Sequence, residues 1–326
     1  MMWGMPAVMA SPGGGISWPA GKDFAFTIFD DTDLATVDNV ASVYDFLKDL
    51  GFRTTKSVWP NPGDSSLVGG SFPGSTCDDP EYLDWVQRLQ REGIEIGSHS
   101  STFHRSTRSQ VIDGLDRFAA MFGDYPKVLA QHNDAKGGES IYWGDQRLTG
   151  VHAFLYNIAT RYRNKGIYRG QIEGDDFFWG DICQARIKYV RNFIFPGMNT
   201  LKACPVMPYH DPRRPYVNHW FASSEGQDVG KFNSCVSERN QDLLEREGGA
   251  CIMYTHFGNL FLKDGQLDSR FKFLMERLSK KNGWFVPVAV MLDHLLEQKG
   301  RHDITASERS SLERRWLLHK LRVGTA

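Results

Sequence analysis

The stretch that decides the fold is FAFTIFDDTD, residues 24–33. Its apolar first half predicts a buried strand, and that strand ends in Asp30 and Asp31, with Asp33 two residues later. Adjacent carboxylates at the end of a buried strand repel each other. They are also costly to remove from water unless a cation or hydrogen-bond donors compensate them. The stretch therefore predicts that other polar groups of the chain meet these acids at the end of a core strand.

Strand patterns alternate with helix patterns along most of the chain. Further strands are predicted in RTTKSVW (53–59), IEIGSH (94–99), KVLAQH (127–132) and ACIMYTHF (250–257). The intervening helical patterns run for ten to fifteen residues, which is typical of βα units and a parallel sheet. Six or seven such units favour an α/β fold in the form of a distorted parallel (β/α) barrel of about seven strands.

The predicted domain organisation has three parts. Residues 1–20 form an N-terminal leader, residues 21–300 form the barrel, and residues 301–326 form an amphipathic C-terminal helical extension. For this extension, packing on the outside of the barrel is the favoured interpretation, and a contact between two copies of the chain is the alternative.

Composition and charge exclude several classes of protein. The 326 residues carry a formal net charge of -1, which argues against a strongly basic nucleic-acid binder. The five cysteines form no CxxC pair, so neither a thiolate zinc site nor a disulfide framework is expected. The first residues lack the basic segment of a signal peptide, and no apolar run has the length of a membrane span. We therefore expect a cytoplasmic protein.

Polar residues follow three of the predicted strands. Asp30 and Asp31 follow the first, His99 and His104 follow IEIGSH, and His256 follows ACIMYT. In parallel sheets and barrels, the carboxyl ends of the strands meet at one edge. One carboxylate and two imidazoles suit zinc or a similar divalent ion, with open positions for water. The alternative is that the histidines are structural loop residues and the acids cap a helix.

The segments IFDD, HSSTFH and YTHF, in this order, resemble the motifs of the polysaccharide deacetylases of the NodB-homology group. The resemblance implies a distorted (β/α) barrel that hydrolyses the N-acetyl group of a sugar with one divalent metal ion, zinc first and cobalt or nickel as alternatives. By position it implies that Asp30 is the catalytic base and His256 the acid. It implies Asp31, His99 and His104 as the metal ligands.

Two features depart from the family pattern. The histidine pair is five residues apart, whereas the family's pair is four apart. The family also has an arginine near the base, and LAQHNDAKGGESIYWG (129–144) contains none. His132, Asn133 and Lys136 are the nearby polar candidates for its role.

Substrate contacts are predicted from acids and aromatics that occur together. The candidates are Asp175, Asp176, Trp179, Trp220 and Asn133. Aromatic faces beside carboxylates and amides commonly hold sugar rings, and the alternative for each tryptophan is a place in the core. Lys188 and Arg191, in KYVRNFIF, would suit an anionic substrate group, but a solvated strand face is the favoured interpretation.

The leading functional hypothesis is a metal-dependent hydrolase that removes an N-acetyl group from a carbohydrate or glycan precursor. The first alternative keeps the metal and changes the substrate to a non-sugar amide or imide. The second is a catalytically inactive carbohydrate-binding or assembly protein. An N-acetylated sugar is the expected partner, with a homodimer as a further expectation.

Overall fold

A computed structural model describes residues 15–70, 73–132 and 137–323 of the chain. The strands of these segments are β1 (Phe24–Asp30), β2 (Thr55–Val58), β3 (Glu95–Ser98), β4 (Val128–Leu129), β5 (Tyr189–Phe195), β6 (His219–Ser224), β7 (Ala250–Thr255), β8 (Leu262–Lys263), β9 (Gln266–Leu267) and β10 (Gly283–Phe285). Strands β8 and β9 form a small antiparallel pair apart from the main sheet.

The main sheet is parallel and closed. Its order is β10-β1-β2-β3-β4-β5-β6-β7, and β1 also pairs with β7, which closes a ring of seven strands. Strand β1 is shared between neighbours, since its first residues pair with Gly283–Phe285 and its last two pair with β2. The predicted distorted parallel (β/α) barrel of about seven strands is therefore confirmed, with β10 as an additional strand.

The helices are α1 (Val37–Asp49), α2 (Pro80–Arg91), α3 (Arg108–Phe122), α4 (Gly150–Ala159), α5 (Gly180–Arg186), α6 (Thr200–Ala203), α7 (Val229–Cys235), α8 (Glu238–Arg246), α9 (Ser269–Ser279), α10 (Val288–Lys299) and α11 (Ala306–Val323). Helix α2 illustrates how the sequence sets them. Asp79 accepts hydrogen bonds from the backbone N–H groups of Glu81 and Tyr82, and Pro80 occupies the first helical position, where no N–H is needed. No helix within the described segments is both long and apolar enough to cross a membrane.

Strand β1 is buried on both faces, and its side chains alternate between them. Phe24, Phe26 and Ile28 belong to the apolar cluster that also contains the buried residues of α1, α2 and α9. Phe29 faces across the barrel instead, where its ring meets Phe221 of β6. The same alternation decides on which face of the sheet the side chains of Asp30 and Asp31 lie.

Helix α11 packs against α4 and β5. Its residues Leu312, Trp316 and Leu317 are buried. Packing of the C-terminal segment against the barrel agrees with the favoured interpretation. Of the predicted leader, residues 1–14 lie outside the described segments, whereas the buried Trp18 donates a hydrogen bond to the Gly248 carbonyl.

Candidate metal and catalytic site

A cavity of about 500 Å³ lies at the carboxyl ends of the barrel strands. The ends of β1, β3, β4 and β7, together with the middle of β5, deliver polar side chains to its wall. They are Asp31, Asp33, His99, His132, Arg191 and His256. The strand ends therefore bring together the carboxylates and imidazoles that the sequence pattern predicts, although not all of the predicted residues are among them.

Asp30 lies on the helix side of β1, away from this cavity. It shares a face with Phe24, Phe26 and Ile28, because all four occupy even positions of the strand. Its carboxylate accepts hydrogen bonds from Lys56 Nζ at 2.9 Å, from the Tyr44 hydroxyl at 2.8 Å and from the backbone N–H of Phe257 at 2.8 Å.

These contacts form a closed buried network. Asp30 and Lys56 are both fully buried. Burial lowers the pKa of Lys56, but Asp30 and Tyr82 together outweigh it through charge and hydrogen bonding, and the pKa is raised. Burial and then Asp30 raise the pKa of Tyr44 well above its ordinary value. The geometry therefore gives Asp30 a structural environment, whereas the resemblance implies that it is the catalytic base.

Asp31 points to the opposite face, into the cavity. Both of its carboxylate oxygens accept hydrogen bonds from Arg191, with Nη1 2.8 Å from Oδ1 and Nη2 bonded to Oδ2. Arg191 is 2% exposed, so the expectation of a solvated strand face is not met. Burial lowers its pKa, but Asp31 outweighs this effect and the pKa is raised. An arginine from β5 thus contacts an acid at the end of β1.

Asp33 forms a cluster with two histidines. His99 Nε2 lies 2.9 Å from Asp33 Oδ2, and His132 Nδ1 lies 3.2 Å from Asp33 Oδ1. The two ring nitrogens are 3.3 Å apart. His99 follows β3 and His132 follows β4, the next strand in the sheet. The ring of Trp59 packs against both imidazoles, at centroid distances of 5.8 and 5.4 Å, and restricts their orientation.

The protonation of this cluster suits a cation. His99 Nδ1 lies 2.8 Å from the Ala130 carbonyl oxygen, which can only accept, so Nδ1 carries a proton. In the neutral ring, Nε2 then presents a lone pair to the Asp33 carboxylate. Two acceptors at 2.9 Å need a proton or a metal ion between them.

The spacing of the polar atoms in this cluster also fits a metal ion. A tetrahedral zinc ion with bonds of about 2.1 Å separates its ligand atoms by about 3.4 Å. The observed separations are 2.9 Å from His99 Nε2 to Asp33 Oδ2, 3.2 Å from His132 Nδ1 to Asp33 Oδ1, and 3.3 Å between the two ring nitrogens. The backbone contact of His99 is also the kind that orients metal-ligating histidines. The residues present therefore fit one divalent ion.

A second group of acids and histidine lies beside the first. Asp31, Asp33 and His256 also have ligand atoms within 4.8 Å of one another. Asp31 is less suited to a metal, because both of its oxygens already accept from Arg191. The set of Asp33, His99 and His132 is therefore the better candidate.

His256 completes the polar wall. Its Nε2 lies 3.4 Å from Asp33 Oδ2, and its Nδ1 lies 2.9 Å from the Gln227 carbonyl oxygen. Burial lowers the pKa of His256, but Asp33 outweighs it and the pKa is raised to about 9. Desolvation raises the pKa of Asp33, but His99, His132 and His256 together outweigh it, so the pKa lies well below its ordinary value.

His104 is not brought to the cluster. The backbone at Ser100 has a φ of 68° just after His99, and the following residues lead away from the cavity. His104 lines a separate pocket with Asn61 and Asp64, and its Nδ1 faces the Arg105 carbonyl oxygen at 3.0 Å. The geometry thus puts His132 where the resemblance implies His104.

Four of the five predicted substrate residues, Asp175, Asp176, Trp179 and Trp220, also lie away from the cavity wall. Trp179 and Trp220 are buried in the core, which is the alternative considered for each, and Trp179 Nε1 donates to the Glu139 carbonyl at 2.6 Å. Asp175 pairs with Arg169, and Asp176 is exposed, with its carbonyl accepting from the backbone of Arg108. The prediction for Asn133 concerns a residue outside the described segments.

One residue of the cluster carries a signal that the motif comparison overlooks. His132 ends the KVLAQH segment as His99 ends IEIGSH, and these segments contain the neighbouring strands β4 and β3. Strand order therefore points to His132. Asp33 lies in the turn that follows β1, where strand alternation does not specify its position.

Comparisons with known proteins show the fold. No protein-family model matches the sequence, and no curated protein is significantly similar to it. Among solved structures, the Puue allantoinase is similar with a TM-score of 0.50 and 11% identity, over 89% of this chain and 95% of that one. A probable polysaccharide deacetylase from Pseudomonas aeruginosa PAO1 has a TM-score of 0.48 and 10% identity, over 86% of this chain and 94% of that one. A polysaccharide deacetylase from Bacillus cereus has a TM-score of 0.36 and 12% identity, over 88% and 93%. The likeness to the allantoinase shows that the barrel fold is shared.

Proposed function

We propose that this chain is a metal-dependent hydrolase that removes an N-acetyl group from a carbohydrate or glycan precursor. The observation that carries the proposal is the convergence of Asp33, His99 and His132, with ligand atoms 2.9 to 3.3 Å apart, beside the arginine-bound Asp31. A metal-binding triad next to a second, separately held carboxylate is an arrangement suited to hydrolysis.

The metal ligands in this proposal are Asp33, His99 and His132, and zinc is the first candidate ion because a carboxylate and two imidazoles are common zinc ligands. When bound, the ion would supply Lewis-acid polarisation of the scissile carbonyl. The Ala130 carbonyl holds the tautomer of His99 and thereby keeps Nε2 available as a ligand.

Asp31 is the proposed general base, and Arg191 is its positioning residue. The contact of both Asp31 oxygens with Arg191 fixes the plane of the carboxylate. A carboxylate so held can accept the proton of a water molecule that attacks the amide carbonyl. Assigning the base to Asp31 moves this role one residue along the chain from Asp30.

His256 is the proposed general acid. Its Nδ1 is positioned by the Gln227 carbonyl, and its Nε2 lies in the polar wall 3.4 Å from Asp33 Oδ2. An amine leaves poorly unless it is protonated, and an imidazolium at this position can donate the proton to the departing nitrogen.

A carbohydrate is favoured by the aromatic side chains of the cavity. Trp143 lies partly exposed in the wall of the same cavity, and the buried Tyr156 and Trp316 border it from the core. An aromatic face can pack on the apolar face of a sugar ring, while the polar cluster contacts its hydroxyls and its amide. Trp143 therefore replaces Trp179 and Trp220 as the candidate for this contact.

The test is release of acetate. The purified chain is treated with a chelator, reloaded with zinc, cobalt or nickel, and incubated with N-acetylated sugars and with non-sugar amides and imides. We expect metal-dependent acetate release from at least one sugar. Hydrolysis of only the non-sugar compounds would overturn the carbohydrate part of the proposal, and the absence of any hydrolysis by the metal-loaded protein would overturn the proposal as a whole.

A further inference from the structure

A second charged group lines the same cavity and takes no part in the chemistry proposed above. Arg147 lies at the end of a 3₁₀ helix (Gly144–Arg147) that precedes α4. Its guanidinium lies 3.6 Å from the ring centroid of Trp143 and 5.0 Å from that of Trp316 on α11. Arg147 is 6% exposed and borders the cavity. The two indoles thus hold the guanidinium at the cavity wall.

Arg147 lacks a counter-charge. Over the described residues, its Nε and Nη2 atoms are buried without a hydrogen-bond partner, and no carboxylate forms an ion pair with it. Other buried arginines are paired, Arg191 with Asp31 and Arg214 with Asp211. A buried charge without a partner is costly, and such charges are ordinarily paired.

The pKa of Arg147 reflects this environment. Burial is the main cause of a pKa lowered to about 10; two tyrosines oppose it, and the positive charges of Arg191 and Arg214 add smaller lowering effects. The guanidinium is still protonated at neutral pH. It is therefore a buried cation at the cavity wall with no anionic partner among the residues that the structure describes.

A second cation comes from helix α11. Lys320 lines the cavity, and its Nζ lies 3.5 Å from Glu225 Oε2. Burial lowers the pKa of Lys320, and the positive charge of Arg147 also lowers it, because the two cations repel each other. Glu225 compensates Lys320, and the charge of Arg147 remains uncompensated.

We propose that Arg147, held between Trp143 and Trp316, binds an oxyanion group of the substrate, either a carboxylate or a phosphate. This inference rests on the proposed function and narrows it, since the substrate is then an anionic N-acetylated compound. Planar guanidinium groups bind carboxylate and phosphate with paired hydrogen bonds, and Nε and Nη2 form one such donor edge.

The position of Arg147 would allow one bound molecule to contact both Arg147 and the candidate metal and catalytic site. Its charge interacts with that of Arg191, which in turn binds Asp31. A cavity of about 500 Å³ is of the size that encloses one small ligand. Because Trp316 and Lys320 belong to α11, the C-terminal helix would help to select the substrate.

The first test measures anion binding by the full chain after chelation, so that no metal ion can bind the probe. Inorganic phosphate and acetate are titrated at constant ionic strength, and binding is followed by calorimetry and by the intrinsic tryptophan fluorescence, to which Trp143 and Trp316 contribute. The matched variants are Arg147→Met and Arg270→Met, the latter removing an arginine that pairs with Glu238 on the surface. Loss of a charged hydrogen-bond donor weakens binding roughly tenfold or more.

We expect the Arg147→Met variant to lose at least this factor for phosphate, acetate or both, and Arg270→Met to bind as the wild type does. The anion that responds identifies the chemistry. Equal binding by wild type and Arg147→Met, or no binding of either anion by the wild type, would overturn the inference.

A stability measurement separates anion binding from a structural role. Without added anions, Arg147→Met should melt at the same temperature as the wild type or higher, because it removes a buried unpaired charge. A clearly lower melting temperature of Arg147→Met would show that Arg147 stabilises the fold, and this result would contradict its proposed role in ligand binding.

The activity arm compares N-acetylglucosamine with its 6-phosphate. If the deacetylase proposal fails, neither compound releases acetate, but anion binding still depends on Arg147. If instead this inference fails, acetate release persists and Arg147→Met does not alter the KM for the phosphorylated compound.

Discussion

The two faces of β1 place aspartate side chains in different environments. On the helix face, Asp30 is fully buried and accepts hydrogen bonds from Lys56, Tyr44 and the backbone of Phe257. On the cavity face, Asp31 is held by Arg191, and Asp33 meets two histidines. One step along the chain separates a carboxylate that ties a strand to its helix layer from one that borders a cavity.

Strand alternation decides which acid faces the cavity. Asp30 occupies the same face as Phe24, Phe26 and Ile28, so its carboxylate points into the helix layer, where a lysine and a tyrosine compensate it. Asp31 continues β1 by one residue, with its N–H donating to the Thr255 carbonyl of β7. It therefore keeps the strand geometry and takes the cavity face.

Replacing Asp31 and Asp30 in turn tests whether the two faces of β1 give these acids different roles. Asp31→Asn should lower turnover by about two to four orders of magnitude, the usual contribution of a general base, while the chain still binds metal. Turnover and metal content are measured at a temperature where the variant is folded, since removing Asp31 also leaves Arg191 unpaired.

Asp30→Asn is the matched control for this experiment. It changes the neighbouring acid by the same substitution and should keep metal binding and most of the turnover. If Asp30→Asn abolishes turnover in the folded protein and Asp31→Asn does not, the assignment of the base is wrong.

A smaller effect is expected on the stability of the Asp30→Asn variant. Asp30→Asn should reduce the free energy of unfolding by about 3–5 kcal/mol, because it leaves Lys56 buried without its anion. Denaturant unfolding measures the loss. The double variant Asp30→Asn/Lys56→Met should recover much of it, since no unpaired charge then remains, and a double variant less stable than Asp30→Asn would contradict the buried pair.

Much of the fold could be predicted from local patterns. Apolar runs such as FAFTIF, separated by helical segments, were sufficient to predict a parallel barrel, because each strand and helix carries its own periodicity. The sequence also predicted that acids after β1 would meet His99 and His256, since carboxyl ends of parallel strands share one edge.

The individual roles could not be predicted in the same way, because they depend on how the chain turns after each strand. His104 follows His99 closely in sequence, but the turn at Ser100 separates them. His132 is distant in sequence and adjacent in space. Arg191 lies 160 residues from Asp31, and no local pattern connects them.

The aromatic residues show the same limit. Trp179 and Trp220 stand in polar segments that suggested exposure, but both are buried in the core. Trp143 and Trp316, which line the cavity, come from the turn before α4 and from α11. Their convergence depends on the docking of α11 against α4, which sequence periodicity does not specify.

Zinc titration of two histidine variants tests whether Asp33, His99 and His132 form the metal site. After chelation, the wild type, His132→Ala and His104→Ala are titrated with zinc by calorimetry. We expect one zinc ion per wild-type chain, unchanged affinity in His104→Ala, and a loss of about a hundredfold or more in His132→Ala, since removing a ligand costs at least as much as removing its supporting contacts. Zinc binding that survives in His132→Ala and is lost in His104→Ala would contradict this assignment.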